Sequence, residues 1–285
     1  MNTLGRVILG TVAGAAITAG VRRLLEDTQP GGRDRWTRTN HRGEPITLLE
    51  GPAVAAGITA GSLLFGAKHP RQRLAQTIAS AGAGAFGVYD DLAEDTSVRS
   101  KGLKGHLGAL AQGQLTTGGL KVIGIGATAF ASALLSAQSR EQAKAFDVLL
   151  DTVVIAGCAN LMNLLDLRPG RALKVSTAAA TFGLLQGNSA GAVIAGSAAV
   201  SFPEDLGERA MLGDGGANAM GALLGASFVQ HAPRSARLAC AVGIVGLTLA
   251  SEKVSFSQVI ANNHYLNTVD MWGRRPAHVE SESAS

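Results

Sequence analysis

Carboxylates that could do chemistry stand at three separated points of this sequence, each beside an apolar run. Asp90 and Asp91 follow the run AGAGAFGVY directly. Adjacent like charges repel unless a cation compensates, so such a pair serves as a metal-linked or proton-accepting group, or is simply a solvated helix end that Glu94 and Asp95 continue. Asn160, Asn163 and Asp166 recur in steps of three, ahead of Arg168, Pro169, Gly170 and Arg171. Those steps keep the three on one helical face. They either cap neighbouring helices or, turned into a cavity, bind a nucleobase, ribose or sugar while Asp166 approaches a metal. The third point is the run Met211-Leu212-Gly213-Asp214-Gly215-Gly216-Ala217-Asn218, which opens an apolar helix. Its glycines allow backbone amides close to a phosphate at a helix N-terminus, and Asp214 offers Mg²⁺ a hard oxygen ligand. A tight turn capped by an Asp is the plainer reading.

Other motifs carry less. Gly82, Gly84 and Gly87 match G-x-G-x-x-G, but a dinucleotide site needs a strand-to-helix turn. Here the glycines fall within an apolar helix, where small residues permit close packing. Asp147 and Asp151 stand one turn apart near the start of another apolar run and receive no role. Cys158 and Cys240 both lie in apolar runs without CxxC spacing, which indicates neither a disulfide nor zinc.

The elements that position these groups read as membrane helices. With 46% hydrophobic and 16% charged residues and 37 glycines in 285, the chain is too apolar for an ordinary soluble domain. The candidate spans are Leu4 to Leu24, Gly51 to Gly66, Leu74 to Val88, Leu115 to Ala137, Ala145 to Leu165, Val175 to Leu185, Ala190 to Ser201, Ala217 to Val229 and Leu238 to Ala250. Several are shorter than the ~20 residues of a perpendicular span, so flanking turns must extend them. The expected fold is all-α, a polytopic bundle of about nine transmembrane helices over 1–275, with a Ser- and Glu-rich disordered tail over 276–285.

Arg22, Arg23, Arg33, Arg35, Arg38 and Arg42 follow the first span, which reads as a retained anchor rather than a cleaved signal. That puts the N-terminus outside and the C-terminus in the cytoplasm, and the segments then facing inward hold about twice the Lys and Arg of the other side. Lys68, His69, Arg71 and Arg73 go against this trend. Nearly all the polar motifs land on the cytoplasmic face. Basic residues are spread along loops without aromatic interleaving, which excludes nucleic acid as a partner.

Taken in order, the motifs resemble the polyprenyl-phosphate N-acetylhexosamine-1-phosphate transferase superfamily. The resemblance runs from about Trp36 to Gly216, with a weaker continuation to Arg275. Asn40-His41-Arg42-Gly43-Glu44-Pro45 and Glu50-Gly51-Pro52 resemble its first basic loop. Gly87-Val88-Tyr89-Asp90-Asp91-Leu92 resembles its acidic pair, and Lys101-Gly102-Leu103-Lys104 its lysine segment. Asn160-Leu161-Met162-Asn163-Leu164-Leu165-Asp166 resembles N-x-x-N-L-x-D, and Gly213-Asp214-Gly215-Gly216 resembles G-D-x-G. Pro169 stands where members commonly carry a further acidic residue, and only His264 stands where many have a His-rich loop.

The resemblance implies Mg²⁺-dependent transfer of a sugar 1-phosphate from a UDP-sugar to a polyprenyl phosphate, releasing UMP, at the cytoplasmic face of the cell membrane. It implies catalytic roles for Asp90, Asp91 and Asp214, with Mg²⁺ on Asp214 and Asp166. Asn160, Asn163, Asp166, Gly213 and Gly215 would bind substrate, and Lys101 and Lys104 would neutralise phosphate. A homodimer is a further implication. The second reading is a catalytically altered member that serves as a membrane scaffold or regulator of envelope assembly.

Overall fold

The computed structural model describes residues 1–93, 108, 113, 116–140, 143–185 and 187–276. Lys101, Lys104 and almost all of the 276–285 tail lie outside those residues. Among the described residues nine helices have 15 residues or more: α1 (Thr3–Thr28), α3 (Glu50–Phe65), α4 (Pro70–Ala93), α5 (Thr117–Ala137), α6 (Ala145–Leu165), α7 (Arg171–Leu185), α8 (Ala190–Leu206), α9 (Gly213–His231) and α10 (Arg234–Ser251). A short α2 (Arg33–Trp36) follows α1, and α11 (Phe256–Asn262) and α12 (His264–Met271) close the described chain. Four of them, α1, α5, α6 and α10, are long and apolar enough to cross a membrane.

Apolar residues all round a helix demand burial, and α9 obeys: it is the axis of the bundle, packed against α4, α6 and α3. With few aromatics to fill gaps, the packing relies on close backbone approach. A Cβ added at Gly221 would lie 2.7 Å from Ala159 Cα, and one at Gly225 2.9 Å from Ile155 Cα, so α9 sits directly on the α6 backbone. The G-x-G-x-x-G glycines belong to the same scheme. They lie inside α4, where a Cβ at Gly84 would meet that of Ala55 at 2.8 Å.

A small element departs from the all-α expectation. Between α2 and α3, β1 (Thr37–Thr39) pairs antiparallel with β2 (Pro45–Thr47). The turn explains it: Asn40 Oδ1 accepts the amides of Arg42 and Glu44 at 2.9 Å each, and Gly43 supplies a φ of +81°. Trp36 is buried beneath the hairpin and donates through Nε1 to Pro30 O at 2.8 Å.

Asp147 and Asp151 turn out to organise the opposite end of the bundle. Arg237, from the start of α10, donates to Asp151 Oδ1 at 2.5 Å and to Asp147 Oδ1 at 3.1 Å. Arg234 grips Asp147 with two nitrogens, and Arg140 closes on Asp151. Asp147 also caps its own helix by accepting the Lys144 amide at 3.0 Å. The pair is a structural clamp between α6 and α10. Cys158 and Cys240 are free thiols.

Candidate active site

The acidic turn at the start of α9 is built by the end of α4. Gly87 lies so close to Asp214 that a Cβ there would overlap the Asp214 carbonyl. The turn opens at Gly213 with a φ of +61°, a left-handed conformation that favours glycine. One turn beyond Gly87, Asp91 takes the exposed amides of the new helix: Oδ1 accepts from Asp214 N at 3.1 Å and Oδ2 from Gly215 N at 3.0 Å. A carboxylate at a helix N-terminus is favoured by the helix dipole. The Gly215 amide, expected to meet a phosphate, here meets a side chain instead. Arg38 of the hairpin donates to Asp91 O at 2.5 Å and fixes the end of α4 from above.

Asp90, the neighbour of this capping residue, faces a different partner. Lys121, one turn into α5, lies 2.5 Å from Asp90 Oδ2 and also contacts Asp214 Oδ2. One ammonium thus sits between carboxylates from two helices, 124 positions apart in sequence. The side chains of Asp90, Lys121 and Asp214 retain 14%, 16% and 24% exposure, so water and a small ligand can reach them.

Two more carboxylates complete the cluster. Asp166 caps the end of α6, next to Gly213, and feels Asp205, Asp214 and Asp91. Burial, followed by those three like charges, pushes its carboxyl well above the usual carboxylate range. Asp205, near the end of α8, accepts the Gly170 amide at 2.5 Å. Asn163 lies one turn above Asp166, while Asn160 donates to Thr248 of α10 at 3.3 Å. Asp90, Asp91, Asp166, Asp214, Gly213 and Gly215 therefore come together, and Asn160 is turned toward α10.

Beside the carboxylates lies a cationic pocket of about 490 Å³, with Arg42, Arg168, Arg171, Arg274 and Arg275 in its wall. A smaller pocket lined by Asp166, Asp205 and Arg168 adjoins it, sharing Arg168, Pro169, His41 and Glu208. Arg42 binds Glu208 at 3.0 Å, Arg171 binds Asp270 through two nitrogens at 2.8 and 3.0 Å, and Arg275 binds Glu44 at 2.5 Å. The hydrogen bonds of Arg275 and Asn40 hold the Glu44 carboxyl down at about 2. Five arginines against Glu208, Asp270 and Glu44 leave two positive charges in excess, which suits an anion such as a diphosphate.

No family model matches this chain.

Among the described residues no three His, Cys, Asp or Glu side chains form a metal-binding group. Mg²⁺ does not require one: it commonly takes one or two carboxylates and completes its shell with water and substrate phosphates. Asp90 and Asp214 already converge on one cation, so a two-carboxylate Mg²⁺ site fits the donor set. The signal for Lys121 was present in the sequence as a lone cation within an apolar span, where ionisable residues are functional by default. Arg42 stood in the Asn40 to Pro45 segment that resembles the first basic loop, whereas Asp205 and Glu208 had no such signal, because they lie in a polar stretch among other charged residues.

Proposed function

We propose that this protein transfers a sugar 1-phosphate from a UDP-sugar to a polyprenyl phosphate with Mg²⁺, releasing UMP, at the cytoplasmic face of the cell membrane. One observation carries the reading: Asp90 and Asp214, from separate helices, share a single cationic centre at Lys121. Phosphoryl transfer depends mainly on positioning and on neutralising charge at the transferring group, and this arrangement has the parts for both.

In this reading the lipid phosphate oxygen attacks the phosphorus that bears the sugar. A new P–O–P bond forms to the lipid, the old one to the uridine phosphate breaks, and UMP leaves. Asp90 takes the proton of the incoming phosphate. Asp91 holds the Asp214 turn in place through the amides of Asp214 and Gly215. Asp214, with Asp166 as a second carboxylate, would hold Mg²⁺, which supplies charge neutralisation on the diphosphate. Lys121 shifts from the carboxylates to substrate phosphate, and the arginine pocket receives the donor's phosphates. Asn163 belongs to the nucleotide side, and Lys101 and Lys104 neutralise phosphate charge. Nine spans, an external N-terminus and a homodimer are parts of the same proposal.

The test is UMP release by purified protein with Mg²⁺, polyprenyl phosphate and a panel of UDP-sugars. We expect release with at least one donor and its loss in Asp214→Ala. Silence across a broad panel overturns the transferase reading. In that event the scaffold reading stands, because Lys121 itself can neutralise Asp90 and Asp214.

A further inference from the structure

The chain beyond α10 is built inside out. In α12 and its flanks, Tyr265, Leu266, Val269 and Trp272 recur at helical spacing and are exposed by 81%, 49%, 61% and 76%. The opposite side carries Asn267, Asp270 and Arg274, and it is this polar side that faces protein. Asp270 is buried, held by Arg171 at 2.8 and 3.0 Å and by Arg274 at 2.8 Å. Lys174 of α7 donates to the carbonyls of Val269 and Asp270 at 3.2 and 2.8 Å. A helix surrounded by water would turn these two faces the other way.

The occupant of the apolar face follows from its continuity with α10. That helix is apolar enough to cross a membrane, and Val242, Val245 and Leu249 on it are exposed, as a lipid-facing side requires. Its 18 residues span about 27 Å, close to the ~30 Å of a hydrocarbon core. Residues after Ser251 therefore emerge at the level of the headgroups. Exposed Val254 and Val259 continue the apolar surface into α11, and exposed Lys253 stands at the transition. A Tyr and a Trp at that depth match the residues that anchor proteins at the membrane boundary.

We propose that residues 255–272 form a membrane-surface anchor that lies along the leaflet at the active-site end, with Tyr265, Leu266, Val269 and Trp272 at the boundary of headgroups and acyl chains. The anchor forms one wall of the arginine pocket, through Ser257, Asn267 and Asp270, so it holds that pocket at the lipid surface.

The chain has two tryptophans, and the other, Trp36, is buried. The experiment uses the full chain in phosphatidylcholine nanodiscs, taking the fluorescence difference between wild type and Trp272→Phe as the Trp272 emission. We expect lipids brominated at shallow acyl positions to remove more of that emission than aqueous acrylamide does. Stronger quenching by acrylamide overturns the anchor by placing Trp272 in water. Protection from both quenchers also overturns it, and assigns the face to a second copy of the chain.

Discussion

Lys121→Met removes the only cation in contact with both Asp90 and Asp214 among the described residues and leaves two facing carboxylates with little solvent. Taking one partner from a buried ion pair costs about 3–5 kcal/mol. The 14–24% exposure of this triad lowers the figure, to about 2–3 kcal/mol. At roughly 2–4 °C per kcal/mol for chains near this size, the variant should unfold about 4–12 °C below wild type in EDTA. The second half of the expectation concerns rescue. With the ammonium gone, a divalent cation is the natural replacement, and Mg²⁺ at a hundred times its Kd returns about 2.7 kcal/mol. The assay is thermal unfolding in detergent, with EDTA or with rising Mg²⁺, on wild type, Lys121→Met and Lys121→Met/Asp214→Asn. We expect a large Mg²⁺ response in the single variant and a smaller one in the other two. A Lys121→Met protein that unfolds with wild type in EDTA, or that gains nothing from Mg²⁺, refutes the shared-cation reasoning.

Three further outcomes are expected. Gly87→Ala pushes a methyl group into the Asp214 carbonyl, so it should lower stability by about 1–3 kcal/mol and displace the acidic turn, read as lower melting temperature together with weaker Mg²⁺ response. Arg237→Met at the opposite end leaves the fully buried Asp151 short of a partner, and a loss of about 3–5 kcal/mol should appear in thermal unfolding while the Mg²⁺ response stays intact. For Asp166 the sign follows from a carboxyl held above its ordinary 3.8: the folded state favours the neutral form, so its charge destabilises the fold increasingly as pH rises past that value. Asp166→Asn should therefore raise the melting temperature at neutral pH, with the gain vanishing at pH values below 3.8; an equal gain at all pH values would contradict the assignment.

Much of the scaffold was legible, because apolar runs bounded by charge announce helices whatever their partners. The span from Ala145 to Leu165 coincides with α6, and Leu74 to Val88 grows at both ends into α4 because Arg71, Arg73, Asp90 and Asp91 lie on polar turns of the same helix. The β1–β2 hairpin escaped notice since its three-residue strands rest on side-chain bonds of Asn40 rather than on any apolar alternation. In the site, Asp90, Asp166 and Asp214 stood out as carboxylates at membrane boundaries. What each would touch did not. Lys121 meets partners 31 and 93 positions away, and Arg237 meets Asp151 86 positions away. Such pairings are products of tertiary packing and leave no local pattern. The same holds for Asp91, whose bond to the Gly215 amide exists only because Gly87 lets α4 onto the α9 turn.

The claim that the Asp90–Asp214 centre is a divalent-cation and phosphate site is tested most directly by Mn²⁺ electron paramagnetic resonance on protein carrying a UDP-sugar. We expect a tightly bound Mn²⁺ with ³¹P hyperfine coupling from the donor, lost in Asp214→Asn. Bound Mn²⁺ that shows no phosphorus coupling, or that is unaffected by that substitution, would contradict it.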